Sequence, residues 1–154
     1  MMQLNPVRQE TVIKARIVYG LLSVLLLIMG ICVYLFFRDL TRIIFFAWVP
    51  LPEFLKPALA ELPPSIFSSI VMHNTAGMLW FVSGIMFLRF VWFYRAKEQK
   101  VYIGCFCAAA AIMEIAQLSE KVPGTFDVLD LLFMGIGAFV EGLLYNFYVK
   151  RRIA

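Results

Sequence analysis

The run Ile17–Phe37 (IVYGLLSVLLLIMGICVYLFF) carries no acid, base or amide over 21 residues and sits between Arg16 and Arg38. At 1.5 Å per residue, a helix of that length covers about 31 Å, one hydrocarbon core. A backbone in lipid has to satisfy its own N–H and C=O groups, and a lone run does so only as a helix. Three more runs of spanning length follow, Ser65–Leu88, Val101–Leu118 and Val128–Tyr148. Composition agrees, since 62% of residues are hydrophobic, 16% are charged, and mean hydropathy is +0.85. Soluble domains are less apolar and more charged. The expected fold class is therefore all-α, a polytopic membrane helical bundle. It has four transmembrane helices, at about 17–37, 65–88, 101–118 and 128–148, in one domain covering 1–154.

Between the first two spans, residues 38–64 hold Pro50, Pro52, Pro57, Pro63 and Pro64. Each removes a backbone donor, so no continuous helix crosses here. Trp48 and its neighbouring phenylalanines suit a segment lying in the interface, over the outer mouth of the bundle. The polar first sixteen residues lack a leader pattern with a cleavage site, so the first apolar run is expected to be retained. Arg8, Lys14, Arg16, Arg89, Arg95, Lys97, Lys100, Lys150, Arg151 and Arg152 fall on one side of the spans, against Arg38, Arg42, Lys56 and Lys121 on the other. That asymmetry predicts a topology with both termini cytoplasmic. It also accounts for the net charge of +4 without nucleic acid, for which no basic, aromatic-interleaved patch is present. Cys32, Cys105 and Cys107 read as small buried packing residues, with neither a disulfide framework nor zinc spacing. No cofactor and no metal is expected.

The stretch Glu114–Gly142 concentrates polar groups in apolar sequence, namely Glu114, Gln117, Asp127, Asp130 and Glu141. Ionisable groups at membrane depth face protein, water or a partner, which makes this stretch the candidate site. Glu114 and Gln117 share a helix face, as do Asp127 and Asp130, with Met134, Gly137 and Glu141 continuing the second stripe. Pro123-Gly124 is a turn pair, so the third and fourth spans form an antiparallel hairpin that brings both acidic faces to the outer mouth. His73 and Asn74, near the outer start of the second span, converge on the same end. The candidate binding residues are His73, Asn74, Glu114, Gln117, Asp127 and Asp130; the catalytic candidates are Glu114, Asp127, Asp130 and His73. Crowded carboxylates push one another towards the neutral form or call for a cation, and Lys121 is one in the same loop. His73 with the three acids has ligand types suited to a divalent ion, although intramembrane acids equally pair with each other or with lysine. Ser69, one turn before His73, permits a triad with Asp127 or Asp130, without an oxyanion-hole signature. HExxH and GxSxG are both absent, as are paired glutamates followed by arginine. Glu141, about 16 Å further along the helix than Asp130, reads as a buried hydrogen-bonded acid, an oligomer contact or a proton relay. Gly135, Ala138 and Gly142 form a small-residue stripe suited to tight packing, and the small residues around Cys105–Ala111 permit close helix approach.

Glu114-x-x-Gln117, a short turn with Gly124-Thr125-Phe126-Asp127, then x-x-Asp130 and Gly137, resembles the core motif of VanZ-like membrane proteins. His73 resembles the histidine those proteins often carry near the start of a preceding span. The resemblance is specific over about 114–142 and weaker over 65–88; Ser69 and Met134 stand where the family pattern has an acid and an asparagine. It implies a four- or five-helix protein of a bacterial cytoplasmic membrane, with Glu114, Gln117, Asp127 and Asp130 as matched polar positions. It also implies an association with lowered susceptibility to the lipoglycopeptide teicoplanin. The leading expectation is a cell-envelope protein whose outward polar pocket binds an envelope lipid or lipid-linked glycan. Its partners would be membrane lipids, that glycan or a lipoglycopeptide, and a second copy through the fourth helix. Two alternatives stand beside it. One is a membrane-embedded enzyme acting on envelope lipids by carboxylate acid–base or metal chemistry. The other is a transport or assembly subunit with Glu141 at a protein contact.

Overall fold

A computed structural model describes residues 6–37, 66–119 and 126–150. They form four helices: α1 Pro6–Phe37, α2 Ile66–Val91, α3 Ala96–Ala116 and α4 Val128–Leu144, the last running into a π-helical segment, Tyr145–Lys150. There is no strand among the described residues. All four helices are long and apolar enough to cross a membrane. The chain is thus an all-α, multi-pass membrane bundle; the proline-rich segment 38–64 lies outside the described residues.

Two helices start earlier than hydropathy predicts. α1 begins at Pro6, a residue whose fixed φ and missing N–H suit the first helical position. Its added turns are amphipathic: Glu10 and Lys14 pair at 2.6 Å on the exposed face, while Val12 is buried. α3 begins at Ala96, because Ala-Lys-Glu-Gln-Lys is polar but strongly helix-forming. Hydropathy reports where lipid begins, and helix propensity continues past that point.

α2 is the centre of the bundle. Asn74, Ala76, Phe81, Ser83, Ile85 and Met86 are all buried. Lipid tails are as apolar as leucine, so helices in a membrane associate through close packing and interhelical hydrogen bonds. α1 runs antiparallel to α2 by both means. Arg16 Nε donates to the Phe90 carbonyl at 3.0 Å, and the Arg16 guanidinium lies over the Phe90 ring. Midway, Ser83 Oγ donates to the Ser23 carbonyl at 2.8 Å and Ser23 Oγ donates to the Ser83 carbonyl at 3.0 Å. Beyond them the Trp80 indole occupies the space a side chain on Gly30 would need. α3, antiparallel on another side, attaches through stacked rings, Phe81–Phe106 at 5.4 Å and Trp92–Tyr102 at 4.6 Å, with Phe106 lying over Gly84.

α4 runs parallel to α2, meeting it at Gly77–Asp130, at Met78 and Val82 over Gly137, and at Arg89–Glu141. α1 and α4 each pack chiefly on α2, so a groove of about 880 Å³ is left between them, floored by Met78, Leu79, Val82 and Met86. Large side chains such as Leu21, Ile112 and Phe139 point outward, as lipid-facing surfaces do.

Two packing expectations are corrected. The small stripe Gly135, Ala138, Gly142 does not make the close contact, since a Cβ on Gly135 or Gly142 would meet nothing within 4 Å. The close contact is at Gly137, because the face of α4 turned towards α2 is the one that also carries Asp130 and Glu141. Cys32 and Cys105 are exposed on the bundle surface rather than buried, while Cys107 is half-buried.

A Cβ on Gly137 would come within 2.6 Å of Val82 Cγ2 and 2.9 Å of Met78 Cγ. Gly137→Ala is therefore expected to lower stability by about 1–3 kcal/mol, as overpacking does. Gly135→Ala is expected to be neutral or to stabilise by roughly 0.5–1 kcal/mol through the helix preference for alanine. Thermal unfolding of both variants in detergent checks the pair.

Candidate functional site

The end of the bundle where α3 stops and α4 starts gathers the predicted polar residues. Glu114, in the last turn of α3, is only 6% exposed. Gln117 Nε2 donates to its Oε2 at 3.3 Å, and the backbone N–H of Asp127 donates to its Oε1 at 3.2 Å. One carboxylate thus closes the end of α3 and holds the chain entering α4. Asp127 has extended backbone angles and accepts from the Leu129 N–H at 2.9 Å, so it is the N-cap of α4. Asp130 lies three residues on, in the first helical turn. Both acids stand where unpaired N–H groups and the positive end of the helix dipole favour negative charge.

Asp130 also faces α2. Its Oδ1 is 3.6 Å from the position a Gly77 Cβ would take, so α2 presents bare backbone there. Asn74, one turn before Gly77, is 2% exposed. The structure therefore brings Glu114, Gln117 and Asp127 into direct contact and places Asp130 and Asn74 on the facing surfaces of α4 and α2. The side chains of His73 and Ser69 lie outside the described residues, as does Lys121. Among the described residues no three His, Cys, Asp or Glu side chains are grouped closely enough to hold a metal ion. The acids do not converge on one point. Glu114 binds backbone and amide donors, Asp127 caps its own helix, and Asp130 turns to α2.

A second polar centre lies at the other end of the bundle. Arg89 of α2 holds Glu141 of α4 by two parallel bonds, Nε to Oε1 at 2.6 Å and Nη2 to Oε2 at 2.9 Å. Arg89 Nη1 donates to Gln99 Oε1 of α3 at 3.0 Å, and the guanidinium carbon sits 3.8 Å from the centre of the Tyr145 ring. Tyr145 in turn meets Tyr19 of α1 edge-on at 5.9 Å. The Glu141 side chain is 3% exposed and that of Arg89 14%. The Gln99 Nε2 group is buried and donates to no atom among the described residues. Bidentate geometry of this kind is the strong form of an ion pair.

The π-helical widening after Leu144 belongs to this centre. Continued α winding would carry residues four apart steadily around the axis. The wider turn returns Val149 to the side that Glu141 and Tyr145 share, where it packs with Val12, Tyr19, Met86 and Phe93.

Sequence reasoning placed Arg89 as a topology charge closing the second span and left Glu141 without a named partner. The two are 52 residues apart, and no local pattern joins them. The capping role of Asp127 did have a signal, an aspartate following the Pro123-Gly124 turn pair and standing directly before the mostly apolar fourth span, with a second acid, Asp130, in its first turn. Compared with family models, curated proteins and solved structures, the chain matches none.

Removing one member of a buried pair strands the other. Glu141→Leu or Arg89→Leu alone is therefore expected to cost about 3–5 kcal/mol, while the double Leu variant recovers most of it. A double-mutant cycle on detergent unfolding measures the coupling. Additive losses in the cycle would show that the pair contributes nothing of its own.

Proposed function

We propose that the chain is a multi-pass protein of a bacterial cytoplasmic membrane, both termini inside, whose acidic end is an outward site for an envelope lipid or lipid-linked glycan. The orientation rests on the Lys and Arg asymmetry, ten against four. The single observation that carries the site is the Glu114 clasp. A buried carboxylate fixes the α3–α4 junction, and beside it Asp127 and Asp130 stand at the start of α4, opposite Asn74 and the bare backbone of Gly77. Acceptor-rich groups held at headgroup depth against apolar walls suit a ligand with a tail in lipid and donors at its head. Sugar hydroxyls, amides and amines supply such donors; a bare phosphate does not, because like charges repel. The VanZ-like motif covers the same four positions, Glu114, Gln117, Asp127 and Asp130, and supports an effect on teicoplanin susceptibility as the cellular consequence.

The enzyme reading has no observation of its own in its favour. Both Glu114 oxygens accept from the chain itself, which fits holding a site together better than moving a proton. An assembly role for Glu141 is not needed to explain its burial, since Arg89 partners it within the chain.

The test is the double variant Glu114→Gln, Asp127→Asn. Glutamine still accepts the Asp127 N–H bond, and asparagine is as good an N-cap as aspartate, so the fold is retained. Loss of charge-assisted hydrogen bonds is expected to weaken retention of lipid-linked glycan by about tenfold or more. Susceptibility of expressing cells to teicoplanin is expected to return to that of cells lacking the protein. A folded double variant that keeps both properties refutes the proposal. Orientation is checked separately, with a C-terminal fluorescent-protein fusion expected to fluoresce and a C-terminal alkaline phosphatase fusion expected to be inactive.

A further inference from the structure

The groove between α1 and α4 begins at the end of the bundle that carries Arg89 and Glu141. Thr11, Lys14 and Val149 stand at its mouth, and it continues to Leu26 and Met78 near mid-bundle. From Ala15 to Leu26 the lining of α1 rises through 11 residue steps, about 16 Å. Half of a hydrocarbon core of about 30 Å is nearly the same length. The apolar floor and walls therefore match the depth of one leaflet, and a cation stands where the headgroups begin. Glu141 also borders the groove, but its two oxygens are held by Arg89, so its charge is compensated.

A transmembrane helix would fill this groove poorly. Close helix approach needs small residues, and Gly137, the small residue of α4 in the lining, is already covered by Met78 and Val82. What remains accessible is long and flexible, with Leu22, Leu26 and Leu144 along the walls. Such walls mould to a thin, flexible chain. The volume, about 880 Å³, lies within the roughly 300–1,000 Å³ range of small-molecule sites.

Lys14 completes the match. Its bond to Glu10 joins two side chains that are 72% and 67% exposed, a type of pair that contributes little and yields to a better anion. We propose that the groove is a binding site for an anionic glycerophospholipid of the leaflet at the basic end, with an acyl chain between α1 and α4 and its phosphate on Lys14. The site lies at the opposite end from Glu114 and Asp127 and does not rest on the function proposed for them.

Native mass spectrometry of the delipidated full chain, given an equimolar mixture of phosphatidylglycerol and phosphatidylcholine with the same acyl chains, tests this. The unsubstituted protein is expected to retain phosphatidylglycerol about fivefold over phosphatidylcholine, the discrimination one lysine near a membrane surface supplies. Lys14→Glu is expected to abolish that preference. Val18→Trp and, separately, Val140→Trp place an indole in the groove from side chains that are already half exposed, and are expected to lower retention of both lipids. Leu21→Trp, on α1 but outside the groove, is expected to change neither. Circular dichroism and size exclusion confirm that each variant is folded, and two groove variants on different helices guard against one failing to fold. Equal retention of the two lipids by the unsubstituted protein overturns the proposal, as does a preference that survives Lys14→Glu or retention untouched by both tryptophans. A dimer that Val18→Trp dissociates, with no lipid bound, also overturns it by showing that a second copy fills the groove. Glu114 and Asp127 are unchanged throughout, so failure here leaves the acidic site standing.

Discussion

The Arg89–Glu141 pair is the interaction on which the rest of the bundle depends. A charge taken into a low-dielectric interior is costly, and the cost is offset only if partner and geometry are both good. Here the guanidinium reaches all the way around. Two donors go to α4, one goes to Gln99 on α3, its own stem is on α2, and its face lies on Tyr145, which touches Tyr19 of α1. One cation thus ties α2, α3 and α4 together directly and reaches α1 through Tyr145. The π-helical turn follows from the same demand, since it keeps Tyr145 and Val149 on the side where the pair is sheltered. Burial of such a pair adds little net stability, and its contribution is to reject other helix rotations, each of which strands a charge.

Away from that pair the contacts are those a membrane interior allows. Hydroxyls meet carbonyls at Ser23 and Ser83, rings fill glycine positions at Gly30 and Gly84, and a glycine admits aliphatic side chains at Gly137. None of these needs water to drive it. They also explain why α1 and α4 leave space between them. Each has its specific partners on α2, and no pair of matching small residues faces across the groove. A bundle of lipid-exposed helices has no general pressure to close such a gap, because lipid can occupy it.

Class, span number and the polar ends were legible in the sequence. An uncharged 21-residue run such as Ile17–Phe37 has one stable form in lipid. The meeting of Glu114 with the start of α4 was also legible, because a turn of a few residues keeps the end of one helix near the start of the next; away from that end α3 and α4 barely touch, and each packs on α2. Helix rotation was not. When nearly every residue is apolar, periodicity no longer marks the inner face, and the stripe of Gly135, Ala138 and Gly142 was as plausible on pattern as the buried stripe that carries Gly137. Pairing across long separations was hidden for the same reason. Arg89 looks like the other basic residues that close a span, and only three-dimensional placement distinguishes it. Charge counts make the acidic end one pool of carboxylates; in the structure Glu114 and Asp127 each take their own donors, because the start of α4 supplies N–H groups that such counts ignore.

The separation of Arg89 from Glu141 has a consequence for biogenesis. The arginine leaves the ribosome 52 residues before its counter-ion, a wait of about 3–10 s at ordinary elongation rates. During that interval α2 has already reached the translocon with an uncompensated cation. Its position near the end of the span is what makes the delay tolerable, since a long side chain there can snorkel to the headgroups. Only when α4 arrives does Arg89 gain the carboxylate that pairs with it in the bundle. Docking of the last helix is thus a neutralisation step as well as a packing step, and a nascent chain halted before α4 would carry a mark, one exposed guanidinium, that membrane quality control could read.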